Sequence, residues 1–110
     1  MHTDFQLIAE PLIRRVFPFI DRITRSDEGR GAVHLKWLLL DTLVTLAWEP
    51  SGPPWMNLKL RDGKLHDVRL PRMEFDPILV SQDMRTEIEV LELLKLLEHK
   101  IGGGQSLEVI

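Results

Sequence analysis

Apolar residues recur at steps of three and four from Phe5 through Ile8, Leu12, Val16, Phe19, Ile20 and Ile23. That spacing places them on one side of an α-helix at about 100° per residue. Thr3-Asp4-Phe5-Gln6 reads as a capping box that starts the helix. Pro11 and Pro18 fall inside the pattern, and each lacks an N–H and crowds the carbonyl four residues back. The first helix is therefore predicted to be kinked, and Ser26-Asp27-Glu28-Gly29-Arg30-Gly31 ends it with turn chemistry. A second helix is predicted over residues 34–49, stopped by Pro50-Ser51-Gly52-Pro53-Pro54. On a helical wheel His34, Asp41, Thr42, Thr45 and Glu49 form a narrow polar stripe. The remaining arc, roughly 220°, is apolar apart from Lys36. Such an arc is too wide for one neighbour and predicts cover on two sides.

Residues 55–70 alternate as a β-hairpin around Asp62-Gly63. A three-residue loop, Arg61-Asp62-Gly63, with Gly63 left-handed in a bulge, sets Met56, Leu58 and Leu60 on the face of Val68 and Leu70. His66 is the odd polar group on that face. Residues 71–77 read as an extended connector, and Ile78-Leu79-Val80 as a short third strand. Ser81 or Asp83 should cap a last helix that runs to about Ile101 and stops at Gly102. Its inner stripe is Val90, Leu94, Leu97 and Ile101, with Leu91, Leu93 and Leu96 widening it. Glu87, Glu89, Glu92, Lys95 and Glu98 are assigned to its solvated side.

The expected fold is thus α+β: a small, mainly helical domain of three helices, the first kinked by prolines, with one β-hairpin. The 110 residues suit one compact domain over 1–101, followed by a C-terminal tail over 102–110. In that tail Leu107, Val109 and Ile110 are apolar residues expected to dock on this chain or a neighbour. A hydrophobic content of 44% with 28% charged residues is ordinary globular composition. The net charge of -3 offers no broad attraction to phosphate backbones or anionic membranes. With no cysteine, neither a disulfide framework nor a thiolate nucleophile is available. No basic start leads into an apolar run, and the most apolar stretch is interrupted by Lys36 and Asp41. These features predict a cytoplasmic protein.

Candidate chemistry is sparse. His2, His34, His66 and His99 lie on different predicted elements without ligand spacing, so no metal or other cofactor is expected. None of Ser26, Ser51, Ser81 and Ser106 stands in a Gly-x-Ser-x-Gly elbow. Asp41, the one acid in an otherwise very apolar segment, or a histidine would be the general base if the chain were a small enzyme. Arg14, Arg15, Arg22 and Arg25, opposite the apolar stripe of the first predicted helix, are candidates for phosphate contacts. Glu10 and Asp21 dilute them. The surplus of apolar helix surface points instead to protein binding, with Trp37, Leu40, Val44 and Trp48 on the second helix and Val90, Leu94, Leu97 and Ile101 on the last as interface residues. The expected function is a non-catalytic interaction module. It would be a homodimeric small regulator that binds and inhibits or modulates another protein, of the anti-activator, antitoxin or immunity type. The rival is a nucleic-acid-binding regulator using the first helix's arginines.

Overall fold

The structure, a computed structural model, describes residues 4–109, with side chains described as far as Ile101. Helix α1 (Phe5–Val16) precedes strands β1 (Thr24–Asp27), β2 (Val33–Leu39), β3 (Thr42–Trp48), β4 (Trp55–Lys59) and β5 (Leu65–Arg69), and α2 (Gln82–Val109) closes the chain. Each strand pairs antiparallel with its sequence neighbour, giving a five-stranded meander ordered β1-β2-β3-β4-β5. Two helices and this sheet replace the expected mainly helical, three-helix domain.

The largest correction lies at residues 34–49, which form the β2–β3 hairpin rather than a helix. Val33, Leu35, Trp37 and Leu39 are buried, whereas His34 and Lys36 are half-buried and Leu38 is exposed. A period of two is the signature of a strand with one covered face. Across the register, Val33, Leu35, Trp37 and Leu39 face Trp48, Leu46, Val44 and Thr42. The opposite parity also carries apolar residues, Leu38, Leu43 and Ala47. Two partly apolar parities, plotted at 100° per residue, smear into one broad arc. The turn hides itself as well, because two-residue hairpin loops favour Asn-Gly or Asp-Gly, and this one is Leu40-Asp41. Leu40 accepts a left-handed φ of 56°, which costs a side-chain-bearing residue roughly 1–2 kcal/mol. Leu40→Gly is expected to stabilise the fold by about 0.5–1 kcal/mol, after allowing for the entropy glycine adds to the unfolded chain. Urea denaturation measures it, and a loss of stability would mean that the leucyl group supports the fold.

The first helix stops at Val16 because Pro18 disfavours helical geometry in the residue before it, and Phe17 sits at φ -125°, ψ 73°. Pro11 stays inside α1. Asp4 caps the helix, its carboxylate accepting the Gln6 N–H at 2.9 Å; Thr3 lies outside the described residues. Residues 78–80 form a turn rather than a strand: Asp76 accepts the Ile78 N–H on its side chain and the Leu79 and Val80 N–H groups on its carbonyl. Ser81 Oγ accepts the Met84 N–H at the start of α2. The α2 backbone continues past the expected stop at Gly102 to Val109. The β4–β5 hairpin follows its spacing. Leu60 donates to the Lys64 carbonyl, Gly63 takes φ 88°, and Met56 faces Val68.

Both helices cover the same sheet face. Phe5, Ala9, Leu12 and Ile13 of α1 and Val90, Leu93, Leu94 and Leu97 of α2 join Leu35, Trp37, Val44, Leu46, Met56, Leu58 and Val68 in one buried cluster. The starts of both helices line one cleft, and the end of α1 and Ile101 of α2 line another. The helices therefore run in the same direction, and the body has a helix-start end and a helix-end end.

Candidate interaction surface

The structure divides the eight expected interface residues. Trp37, Val44, Val90, Leu94 and Leu97 are 0–2% exposed and belong to the core of a single copy. Trp48 is half-buried, its indole stacked on the Phe5 ring at 5.3 Å and 9°. Ile101 is half-buried beside the helix-end notch. Leu40 alone is well exposed, at 58%.

Leu40 has company that the sequence pattern did not supply. Leu38 and Phe19 are both 67% exposed, and Phe19 shares with Leu40, Val16, Phe17, Leu39, Glu98 and Ile101 a notch of about 560 Å³. Leu38 stands on the outward parity of β2, next to Leu43 across the register. Phe19 lies in the 17–23 connector, packed edge-on against Phe17 at 6.2 Å, because the helix that would have turned it inward ends at Val16. The signal for Leu38 was its parity, an apolar residue where His34 and Lys36 are polar. Phe19 and Leu40 thus meet at the notch, whereas Leu38, two residues before Leu40, lines a separate cleft with Arg22 and Leu43.

The helix-start cleft, also about 560 Å³, is built differently. Arg25 donates from Nε to Asp27 at 3.1 Å, from one terminal nitrogen to Asp4 at 2.7 Å and Gln6 at 3.1 Å, and from the other to Asp4 and Asp27 at 3.0 and 2.8 Å. Its fork ties the cap of α1 to the edge strand. The Arg25 hydrogen bonds hold the Asp4 carboxyl below the usual carboxylate range, and the same two carboxylates push the guanidinium pKa up. Glu10 is lowered likewise, first by the Gln6 amide and then by Arg14. The cleft's cation is thus engaged in holding the fold.

Glu89 is the residue whose setting most departs from expectation. Assigned to the solvated side of the last helix, it is 4% exposed, and Arg85 Nε lies 3.5 Å from its carboxylate. Burial raises its pKa, with Arg85 pulling the other way. The clue was spacing: Thr86, Glu89, Val90, Leu93 and Leu97 fall on one helical row. Arg85 itself lies over the Phe75 ring at 5.2 Å.

The remaining candidates are scattered. Asp41 sits at the hairpin tip with its side chain 73% exposed, 3.4 Å from Arg61. The Ser26 hydroxyl donates to Glu28, whose other oxygen is 4.0 Å from His34 Nδ1. The carboxylate lies between the hydroxyl and the imidazole, so this is no Ser–His pair in which the ring could take the hydroxyl proton. Among the described residues no three potential metal ligands gather, and no helix is long and apolar enough to cross a membrane. His2 lies outside them, as do the side chains of Ser106, Leu107, Val109 and Ile110. Arg14 and Arg15 are on α1, Arg22 in the connector and Arg25 in β1, with Arg14 bound to Glu10 and to the Ile20 carbonyl. They do not line one helix face. Comparison with protein-family models, with curated proteins and with solved structures found no match, so the surface is read from its own geometry.

Proposed function

We propose that this chain is a non-catalytic protein-interaction module, a small regulator that pairs with a second copy of itself and acts by binding another protein. The contact surface in this reading is the helix-end surface of Phe19 and Leu40, with Leu38 two residues before Leu40, not the two-helix seam expected from the sequence. Leu40 carries the proposal. A large aliphatic side chain is held in a strained backbone conformation and exposed to water, so neither folding nor solubility accounts for it. Strain kept at an exposed position is a pointer to function. Ala47, Trp55 and Arg69 on the outer sheet face need no such partner, since Arg69 lies 4.9 Å over the Trp55 ring and Ala47 is already buried.

Light scattering on the purified chain tests the reading. The wild type is expected to be a dimer at micromolar concentration, and Leu40→Asp a folded monomer. Truncating a hot-spot residue typically costs about 2 kcal/mol or more of association free energy. A wild-type chain that stays monomeric at high concentration would overturn the pairing.

A further inference from the structure

Arg85 and Glu89, in the first two turns of α2, share one wall of a cleft of about 530 Å³ with the 70–75 connector. Clefts of that size hold small molecules. Leu70, Met73 and Phe75, all half-buried, supply its apolar lining. Neither charge serves the fold. A buried carboxylate is costly unless it is closely paired, and Glu89 is 4% exposed with Arg85 Nε 3.5 Å away. A cation near the start of a helix opposes the helix dipole, and Arg85 stands there. An acid four residues after the base is also the poorer order for such a pair. Charges kept in a cleft against the interest of stability point to binding.

Both groups keep bonding capacity. Only Oε2 of Glu89 takes part in the Arg85 contact. Trp37 Nε1 is the one sealed side-chain polar atom without a partner among the described residues. Oε1 of Glu89, which no described donor reaches, is therefore open to the space that Glu89 lines. That space is the large cleft and a smaller one of about 100 Å³ beside Ser51 and Gly52. An ionised carboxylate only accepts hydrogen bonds, so a donor fits there. Arg85 meets Glu89 through Nε and lies over the Phe75 ring, which leaves its two terminal nitrogens as donors. The remaining charges select among ligands. Arg72 and Glu74, 3.9 Å apart, balance each other as Arg85 and Glu89 do. A net cation would meet two guanidinium groups and a net anion two carboxylates, whereas a neutral molecule with one charge of each sign finds a complement for both.

We infer that this cleft binds a free α-amino acid with an apolar side chain, its ammonium on Glu89, its carboxylate on Arg85 and its side chain against Leu70 and Met73. One carbon separates the two charged groups of such a molecule, so together they match an acid and a base that lie side by side. The cleft shares no residue with the Phe19 and Leu40 notch, and the inference is independent of self-pairing.

Calorimetric titration of the full chain with L-leucine tests it, with isoamylamine and isocaproate standing for leucine without its carboxylate or without its ammonium. Leucine is expected to bind, and each analogue at least about tenfold more weakly, as loss of a hydrogen bond to a charged group predicts. Glu89→Gln and Arg85→Gln, checked for native circular dichroism, should each weaken leucine binding by a similar factor. Absence of binding by leucine, methionine and phenylalanine at millimolar concentration overturns the inference. Leucine binding left unchanged in either variant overturns it too. An analogue that matches leucine does the same, since one charge would then suffice.

Discussion

Trp37→Ala is expected to lose about 3–5 kcal/mol of folding stability, the range for truncating a buried aromatic in a packed core. Trp37 is 2% exposed and sits centrally in the cluster that both helices cover. A domain of this size has about 5–15 kcal/mol in hand, so the variant should lie close to unfolding at room temperature. Trp37→Phe should cost far less. The indole N–H finds no acceptor among the described residues, and an orphaned buried donor forfeits roughly 1–3 kcal/mol. Phenylalanine deletes the donor while filling most of the space. Chemical denaturation of the three proteins measures the series. If Trp37→Ala kept its stability and lost only association, the indole would be at an interface and the core assignment would be wrong.

Glu89→Gln is expected to stabilise the protein at neutral pH by about 1 kcal/mol, a few degrees in Tm for a domain of this length. The carboxylate is buried against one long contact to Arg85, and Arg85 is left with the Phe75 ring and solvent when the charge is removed. The pH dependence follows from the raised pKa. A folded-state pKa above the unfolded value means that protonation favours the fold. The contribution is complete below the ordinary glutamate range and is lost as pH rises through the raised folded pKa. The advantage of glutamine should therefore be full at neutral pH and vanish as pH falls into the ordinary range. Asp4 and Glu10, whose pKa values are lowered, act in the opposite sense, losing their contribution as pH falls. Comparing variant with wild type at each pH cancels them. A glutamine variant less stable than wild type at neutral pH would show that the Arg85 pair outweighs the desolvation.

The β4–β5 hairpin and the inner row of α2 are legible in the amino-acid sequence, and the middle of the chain is not, for a physical reason. Around Asp62-Gly63 the turn chemistry and alternation agree, so only one register keeps Met56 opposite Val68. Val90, Leu94 and Leu97 repeat at four and three, and nothing interrupts them. In β2 and β3 the outward parity carries Leu38, Leu43 and Ala47, and the turn lacks glycine, so a two-fold pattern mimics a helix with too much apolar surface. That excess was the sign of the wrong period. The helix-end surface stayed hidden for the same reason: Leu40 and Leu38 become conspicuous only once the chain is extended and reversed between them and Leu43.

The neighbour-to-neighbour order of the sheet has a kinetic corollary. Every strand closes onto the one before it through a short loop, so no strand pairing waits on a distant part of the sequence, and chains rich in such local contacts cross their folding barrier quickly. The docking of α1 beside α2 is the exception, joining opposite ends of the polypeptide. The meander needs only its own short-range pairings to form, whereas the seal of the hydrophobic layer by α1 beside α2 requires segments far apart along the chain to meet.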